Sequence, residues 1–489
     1  MVSMAAKLDK TRGRVQIGEP DPSLTGSGGM IAVTELIGKL SLVEALDAGI
    51  GPVKRRDRGF TGGQVLAGMA AAQLAGEDFL CGLDRLRADA AGQQLAPVPG
   101  LASTTAAGVA RRFTGKHWRG AEAGLAAATT RMTELLAPER VTGLGEGPVT
   151  IDIGATDVEV YGRKKRGVAY SYQGQRCARP HVATWAETEI PLAADLLSGD
   201  QDPRSSVVAL LGRALQALPA RIRARAAQAG RKIALRADAG YFAGELARAA
   251  HGHGMVFAIG AKRVTTMWTA LAGVPDEAWT PAIDMENAEV AVSPYRPGGW
   301  PPGTVLLVRR VRLDPGQVSA DPRSRRRRTL HPDQRALPIP ELEKEPEIYA
   351  YSFILTNLDV STRSKAAAEH WYRHRTSVEN VFRDSKHGAA LRHLPSGYRE
   401  VNTAWMWASL IAAAIAAWLH PLTGLTDGED LLEGHGVRGG KAMIATLRKV
   451  LIATPARLVR HSGQLILRLA PGALLPDILA AVRALPAPG

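Results

Sequence analysis

At Gly147 the hydrophobic pattern of the chain changes period, and this change constrains the fold more than any other feature. Before about residue 140, apolar residues recur at helical spacing, with helices expected near 39–48, 62–75, 104–113 and 117–137. From Gly147 the spacing becomes alternation: VTIDIGATDVEVYG, VAYSYQGQR and HVATWAETEIPLAADLL read as three consecutive strands separated by polar turns. A helix from about Pro203 to Gln228 follows, then the strand KIALRAD, a helix around AGELARAAHG and the strand MVFAIGAK. Three meandering strands followed by helix-linked parallel ones call for an α/β fold, a mixed sheet flanked by helices.

Residues 263–348 interrupt that order with Trp-, Pro- and Gly-rich sequence such as VAVSPYRPGGWPPGTVLLVRRVRLD, which reads as a β-rich insertion. The strand YAYSFILTN then resumes the sheet, and a helix carrying YRHRTSVENVFRDSK follows it. The expected division is a polar tail over 1–28, a helical N-terminal region over 29–145, core segments over 146–262 and 349–425 on either side of the insertion, and a C-terminal subdomain over 426–489. In the last of these, ARLVRHSGQLILRL reads as a hairpin.

Charge indicates the class of partner. Sixty-one Lys and Arg against 47 Asp and Glu leave a net charge of +14, which favours a polyanion, most commonly nucleic acid. Arg111 and Arg112, in AAGVARRFTGKHWRG, suit a DNA-reading helix pair and equally a solvated basic face. Arg325, Arg326, Arg327 and Arg328 suit phosphate contact, although such a run is commonly a surface loop. With only Cys81 and Cys177, neither a disulfide framework nor a cysteine-rich zinc site is expected, and a reducing cytoplasm fits. The N-terminus lacks the apolar segment of a signal peptide. The run AWMWASLIAAAIAAWL falls short of the ~20 residues that span a bilayer, so a buried helix and no membrane contact are expected.

On a helical wheel Tyr372, Arg375, Glu379 and Lys386 fall within about 60° of one another. Trp371, Val378 and Phe382 form an apolar edge beside them. The ordinary alternative is an amphipathic helix with Arg375 and Glu379 as an i,i+4 pair. Two further acids join Glu379: Asp152 within the strand VTIDIG, and Asp238 at the end of KIALRAD, where α/β sites are built. Such oxygen ligands suit Mg²⁺ or Mn²⁺ acting on a phosphodiester.

The spacing of Tyr372, Arg375, Glu379 and Lys386 resembles the Tyr-Arg-Glu-Lys signature of DDE transposases from bacterial insertion sequences, related to the family 4 transposases. TDVEVYGRKKRGVAYSYQGQR, LRADAGYF, ADPRSRRRRT and ALRHLPSG are similar to segments of the 1380 family of that group, a likeness covering about residues 30–425. The resemblance implies a ribonuclease-H-like core with a β-rich insertion and a helical N-terminal DNA-binding domain. It implies metal-dependent cut-and-paste transposition by a homodimer acting on double-stranded DNA, at terminal inverted repeats and at a target. Carried over by position, the resemblance implies that Asp238 and Glu379 are the second and third catalytic, metal-binding acids, with Asp152 named as the first, and that Tyr372, Arg375 and Lys386 grip DNA phosphates. An insertion aromatic that stacks on a flipped base is sought among Trp268, Trp279 and Trp300. One departure stands out: the family's Asp-x-Asp-x-Thr is here Asp152, Ile153, Gly154, Ala155, Thr156. If the first acid belongs at position 154 rather than 152, the chain lacks it and is expected to be inactive.

Overall fold

The computed structural model describes residues 17–55, 58–361, 364–423 and 443–488. The polar tail before residue 17, and residues 424–442 at the start of the expected C-terminal subdomain, lie outside these.

The N-terminal region is helical, as its periodicity requires. Its main elements are α1 (Met30–Lys39), α2 (Leu42–Ile50), α3 (Gly62–Ala75), α4 (Ser103–Ala110) and α5 (Gly115–Leu135). The sequence reading missed α1. Ser103 does not cap α4 but opens its first turn, its backbone N–H donating to Asp84 at 3.0 Å. Thr61 does cap α3, through a reciprocal capping box with Gln64.

The core begins with β1 (Thr150–Ala155), β2 (Arg176–Trp185) and β3 (Ile190–Ser198). VAYSYQGQR, expected as a strand, contributes only the two-residue strand Ala169–Tyr170, and HVATWAETEIPLAADLL is a β2–β3 hairpin rather than one strand. The turn at Ala186–Glu189, with Glu189 at φ 56°, divides two apolar runs that the one-dimensional pattern fuses. The expected helix over 203–228 is likewise two, α6 (Val207–Ala217) and α7 (Ala220–Gln228), because Pro219 removes the N–H that would continue the first. β4 (Ala234–Ala237), α8 (Gly244–Gly252) and β5 (Val256–Gly260) follow. Neighbouring strands run β3-β2-β1-β4-β5, antiparallel through β1 and parallel from β1 to β5, the mixed sheet expected.

The insertion is not a detached body. Its strands β6 (Ala288–Ser293) and β7 (Val305–Leu313) pair in turn with β8 (Ile348–Thr356), and β8 pairs with β5, so insertion and core share one sheet.

After β8 come α9 (Lys365–Arg373), α10 (Ser377–His387) and α11 (Arg399–Thr423). By length and composition α11 could cross a membrane, but 89% of its apolar window is buried inside the protein, between α3 and β3. Trp405, Trp407 and Trp418 are fully buried there. The expected C-terminal hairpin is present as β9 (Ala456–His461) and β10 (Gln464–Leu469). β9 also pairs with Leu24–Thr25, so the end of the expected polar tail is held by the C-terminal hairpin.

Candidate functional site

The helix of YRHRTSVENVFRDSK is broken. α9 ends at Arg373 and α10 starts at Ser377, so the four signature residues do not lie on one continuous wheel. They meet at the carboxyl ends of β1 and β4 instead, and the three donors among them are each held by a main-chain carbonyl. Tyr372 Oη donates to Ala237 O at 3.2 Å, Arg375 Nη1 to Ile153 O at 3.4 Å, and Lys386 Nζ to Asp157 O at 2.8 Å and Thr156 Oγ1 at 2.7 Å. Burial pushes the Tyr372 phenol up to about 12 and draws the Lys386 ammonium below its ordinary value. Gly260 on β5 lets Tyr372 approach, since a Cβ there would lie 2.6 Å from its hydroxyl.

This docking brings Asp238 and Glu379 together from opposite ends of the core. Both line an open pocket of about 300 Å³ with Gly154, Thr156, Arg375, Phe382, Arg383 and Lys386. Arg375 Nη2 stands between the acids, 3.5 Å from Asp238 Oδ2 and 3.4 Å from Glu379 Oε1, and their side chains are 46% and 65% exposed. Asp238 also serves its own turn, Oδ1 accepting from Gly240 N at 2.8 Å.

Asp152, expected as the first acid, is not with them. It faces the same side of β1 as position 154, as alternation requires, but it is fully buried. Arg236, its register partner on β4, donates to Oδ1 at 2.7 Å and to Oδ2 at 2.9 Å, and Ser377 at the start of α10 donates to Oδ2 as well. The same guanidinium donates to Trp371 O at 2.5 Å and lies 5.0 Å from the Trp371 ring. A carboxylate so fully engaged has little capacity left for a metal. Arg236 went unnoticed in the sequence, though a cation between Leu235 and Ala237 in an apolar strand demands a buried partner.

The β1 residues that reach the pocket are Gly154 and Ala155. A Cβ built on Gly154 would lie 3.0 Å from both Phe382 Cε2 and Val378 Cγ2, so glycine lets α10 settle on the strand. Asp157, the other nearby acid, is paired with Arg179 at 2.6 Å. Among the described residues no three His, Cys, Asp or Glu side chains come together as a metal site. The residues present therefore do not fit the three-acid set that the resemblance implies.

The candidate DNA contacts divide. Arg325, Arg326 and Arg328 are exposed on the short helix Arg325–Thr329, whereas Arg327 is buried and donates to Arg335 O at 3.0 Å and to Leu337 O, correcting its expected role as a phosphate contact. Arg111 lies over the Tyr398 ring at 3.9 Å, and Arg112 joins Lys54, Arg55 and Arg58 around a basic hollow. Of the three tryptophans, Trp268 is edge-packed on His331, Tyr351 and Phe353, and Trp300 lies against Phe242 and Phe257. Trp279 is covered by the Arg310 guanidinium at 4.1 Å. Trp268 and Trp300 are buried, and Trp279 is half-buried with Arg310 over one face.

Residues 10–323 match the family described as "Transposase DDE domain group 1", which is more than half of the chain. The chain belongs to this transposase family. The matched segment contains Asp152, Gly154 and Asp238, and Glu379 lies beyond it. DDE transposases generally use divalent metals, and no three-acid metal site is found among the described residues of this chain. One solved structure, a cryo-EM structure of piggyBac transposase synaptic complex with hairpin DNA, is similar at 9% identity and a TM-score of 0.39, over 86% of this chain and 80% of that one. No curated protein matches the chain.

Proposed function

We propose that this DDE-family protein serves the transposition of a bacterial insertion sequence of the 1380 type, binding the terminal inverted repeats as a homodimer in the cytoplasm, at the nucleoid. The observation that carries the reading is the convergence of Asp238 and Glu379, 141 positions apart, on a pocket whose remaining charge is cationic: Arg375, Arg383 and Lys386. A DNA phosphate suits that pocket, and the strand order β3-β2-β1-β4-β5 with its helices suits the ribonuclease-H-like core of such enzymes.

The full reaction of such enzymes would be hydrolysis at the element's end followed by attack of the freed 3′-OH on target DNA, and Asp238 and Glu379 are the acids that line the pocket for it. Gly154 and the burial of Asp152 favour the narrower reading, a DNA-end-binding protein whose own cleavage is disabled by a missing first acid. The test is to incubate the protein and its Gly154→Asp variant with a labelled inverted-repeat end and Mg²⁺. Binding by both with cleavage by the variant alone is expected. Cleavage by the unaltered chain would restore the full reaction to it, and absence of DNA binding by both would remove the transposition reading.

A further inference from the structure

The most exposed aromatic rings of the described residues lie outside the insertion. Tyr161, Tyr170 and Tyr172 are 85%, 68% and 88% exposed, well above Phe79 at 49% and Tyr398 at 37%. All three lie in one excursion between the strand Val158–Glu159 and β2, together with the exposed cations Arg163, Lys164 and Arg166. Large rings left in water amid cations bury little apolar area in the fold, which is the pattern of a surface built for a ligand with flat faces and negative charge.

The excursion is a fixed arm. Arg176 of β2 donates to three of its carbonyls, Gly162 O, Arg163 O at 3.0 Å and Lys165 O at 3.1 Å. The strand Ala169–Tyr170 pairs with Arg176 and Cys177, and a turn closes with Gly174 N donating to Ser171 O at 2.9 Å. Arg166 N donates to Gly397 O at 3.0 Å, and Lys165 Nζ reaches Leu394 O, which tethers the arm to the segment before α11. Held in this way, the backbone that carries the rings loses little freedom on binding. The arm itself carries no acid, and Glu159 on the strand before it accepts from Tyr161 Oη at 2.8 Å.

The arm also has a position. It leaves the sheet after the strand Val158–Glu159, which follows Thr156 and Asp157, whose atoms hold Lys386 in the pocket. On its other side Arg166 lies 5.6 Å from the Tyr398 ring, the ring that Arg111 covers at 3.9 Å, so it is continuous with the cationic N-terminal face. We propose that Tyr161, Tyr170 and Tyr172, with Arg163, Lys164 and Arg166, form a stacking site for unpaired nucleotides of a DNA strand beside the pocket. The inference rests on the DNA-binding part of the function proposed above and not on cleavage.

The test is fluorescence anisotropy of the full-length protein with labelled (dT)20, a 20-base-pair duplex and (rU)20. Replacing all three tyrosines by Ala is expected to weaken (dT)20 binding about tenfold or more and to leave the duplex nearly unaffected, while replacing them by Phe preserves both. Arg163→Gln with Lys164→Gln is expected to flatten the salt dependence of (dT)20 binding. Because the rings are exposed, circular dichroism of the variants should match that of the parent. Unchanged (dT)20 affinity in the Ala variant, or failure of the parent to bind (dT)20 while it binds duplex, overturns the stacking site and leaves the function proposal standing. Tighter binding of (rU)20 than of (dT)20 overturns the assignment to DNA. Binding of neither DNA removes the function proposal and this one with it.

Discussion

Asp152 and Arg236 face each other across paired strands with both carboxylate oxygens engaged, at 2.7 and 2.9 Å, in a site where Asp152 has no exposure at all. A buried pair of this kind is expensive to break because the surviving charge is stranded. Asp152→Ala or Arg236→Leu is therefore expected to cost about 3–5 kcal/mol. Combining the two should cost less than the sum of the single changes. Urea denaturation of the four forms checks this, and strict additivity would show that the two side chains are not coupled.

Asp238 and Glu379 make the contrast. Both are substantially exposed, so Asp238→Asn and Glu379→Gln should each change stability by no more than about 0.5 kcal/mol. If a DNA phosphate enters the pocket, removing either negative charge should also hold or raise duplex affinity in the absence of divalent metal. Weaker binding by both variants would argue that the phosphate sits elsewhere.

Gly154 is expected to resist enlargement. Val378 and Phe382 stand 3.0 Å from the place a Cβ would take, so Gly154→Ala should lose about 1–3 kcal/mol through overpacking. Thermal melts of the Ala and Asp variants separate this steric cost, common to both, from any effect of the carboxylate. An unchanged melting temperature in both would show that α10 yields freely.

The arginines of SRRRRT should divide by partner. Arg327→Ala removes a buried donor to two carbonyls and should cost about 1–3 kcal/mol. Arg325→Ala and Arg328→Ala should leave stability alone and each lower the slope of log affinity against log salt for duplex DNA by about one. A uniform response across these variants would contradict the separation.

Acid sensitivity should trace in part to His181. Burial and nearby Arg179 pull its imidazole down to about 4, Nδ1 lies 3.3 Å from Ser206 Oγ, and its ring stacks on Tyr241 at 5.6 Å. The folded pKa lies below the unfolded one, so the neutral ring's contribution, on the order of 3 kcal/mol, is present above about pH 6.5 and is lost as pH falls toward 4. His181→Leu should flatten that part of the stability profile. An unaltered profile between pH 4 and 6.5 would assign the acid loss to other groups.

Much of this organisation was legible in one dimension because it rests on period and breaker chemistry. Alternation after Gly147, the strands KIALRAD and YAYSFILTN and the C-terminal hairpin each announce themselves through side chains that must face one way. The failures have equally local causes. Runs that cross a tight turn, such as HVATWAETEIPLAADLL, keep an apolar pattern on both sides and so read as one element. The break between α9 and α10 leaves no proline or glycine to mark it, and it exists because Arg236 holds the Trp371 carbonyl while Ser377 turns back to Asp152.

By itself the sequence determined the α/β order, the basic character, the family resemblance, and the presence of Asp238 and Glu379 near strand and helix ends. Only the tertiary structure decided which acids share a pocket. Asp152 and Gly154 lie two residues apart on one face of β1, but the strand's depth beneath α10 differs between them. At position 152 the neighbours are Arg236 and Ser377, which complete a buried ion pair; at 154 they are Val378 and Phe382, at the pocket's rim. Alternation fixes which side a residue faces, but what it meets there depends on packing between segments more than two hundred residues apart.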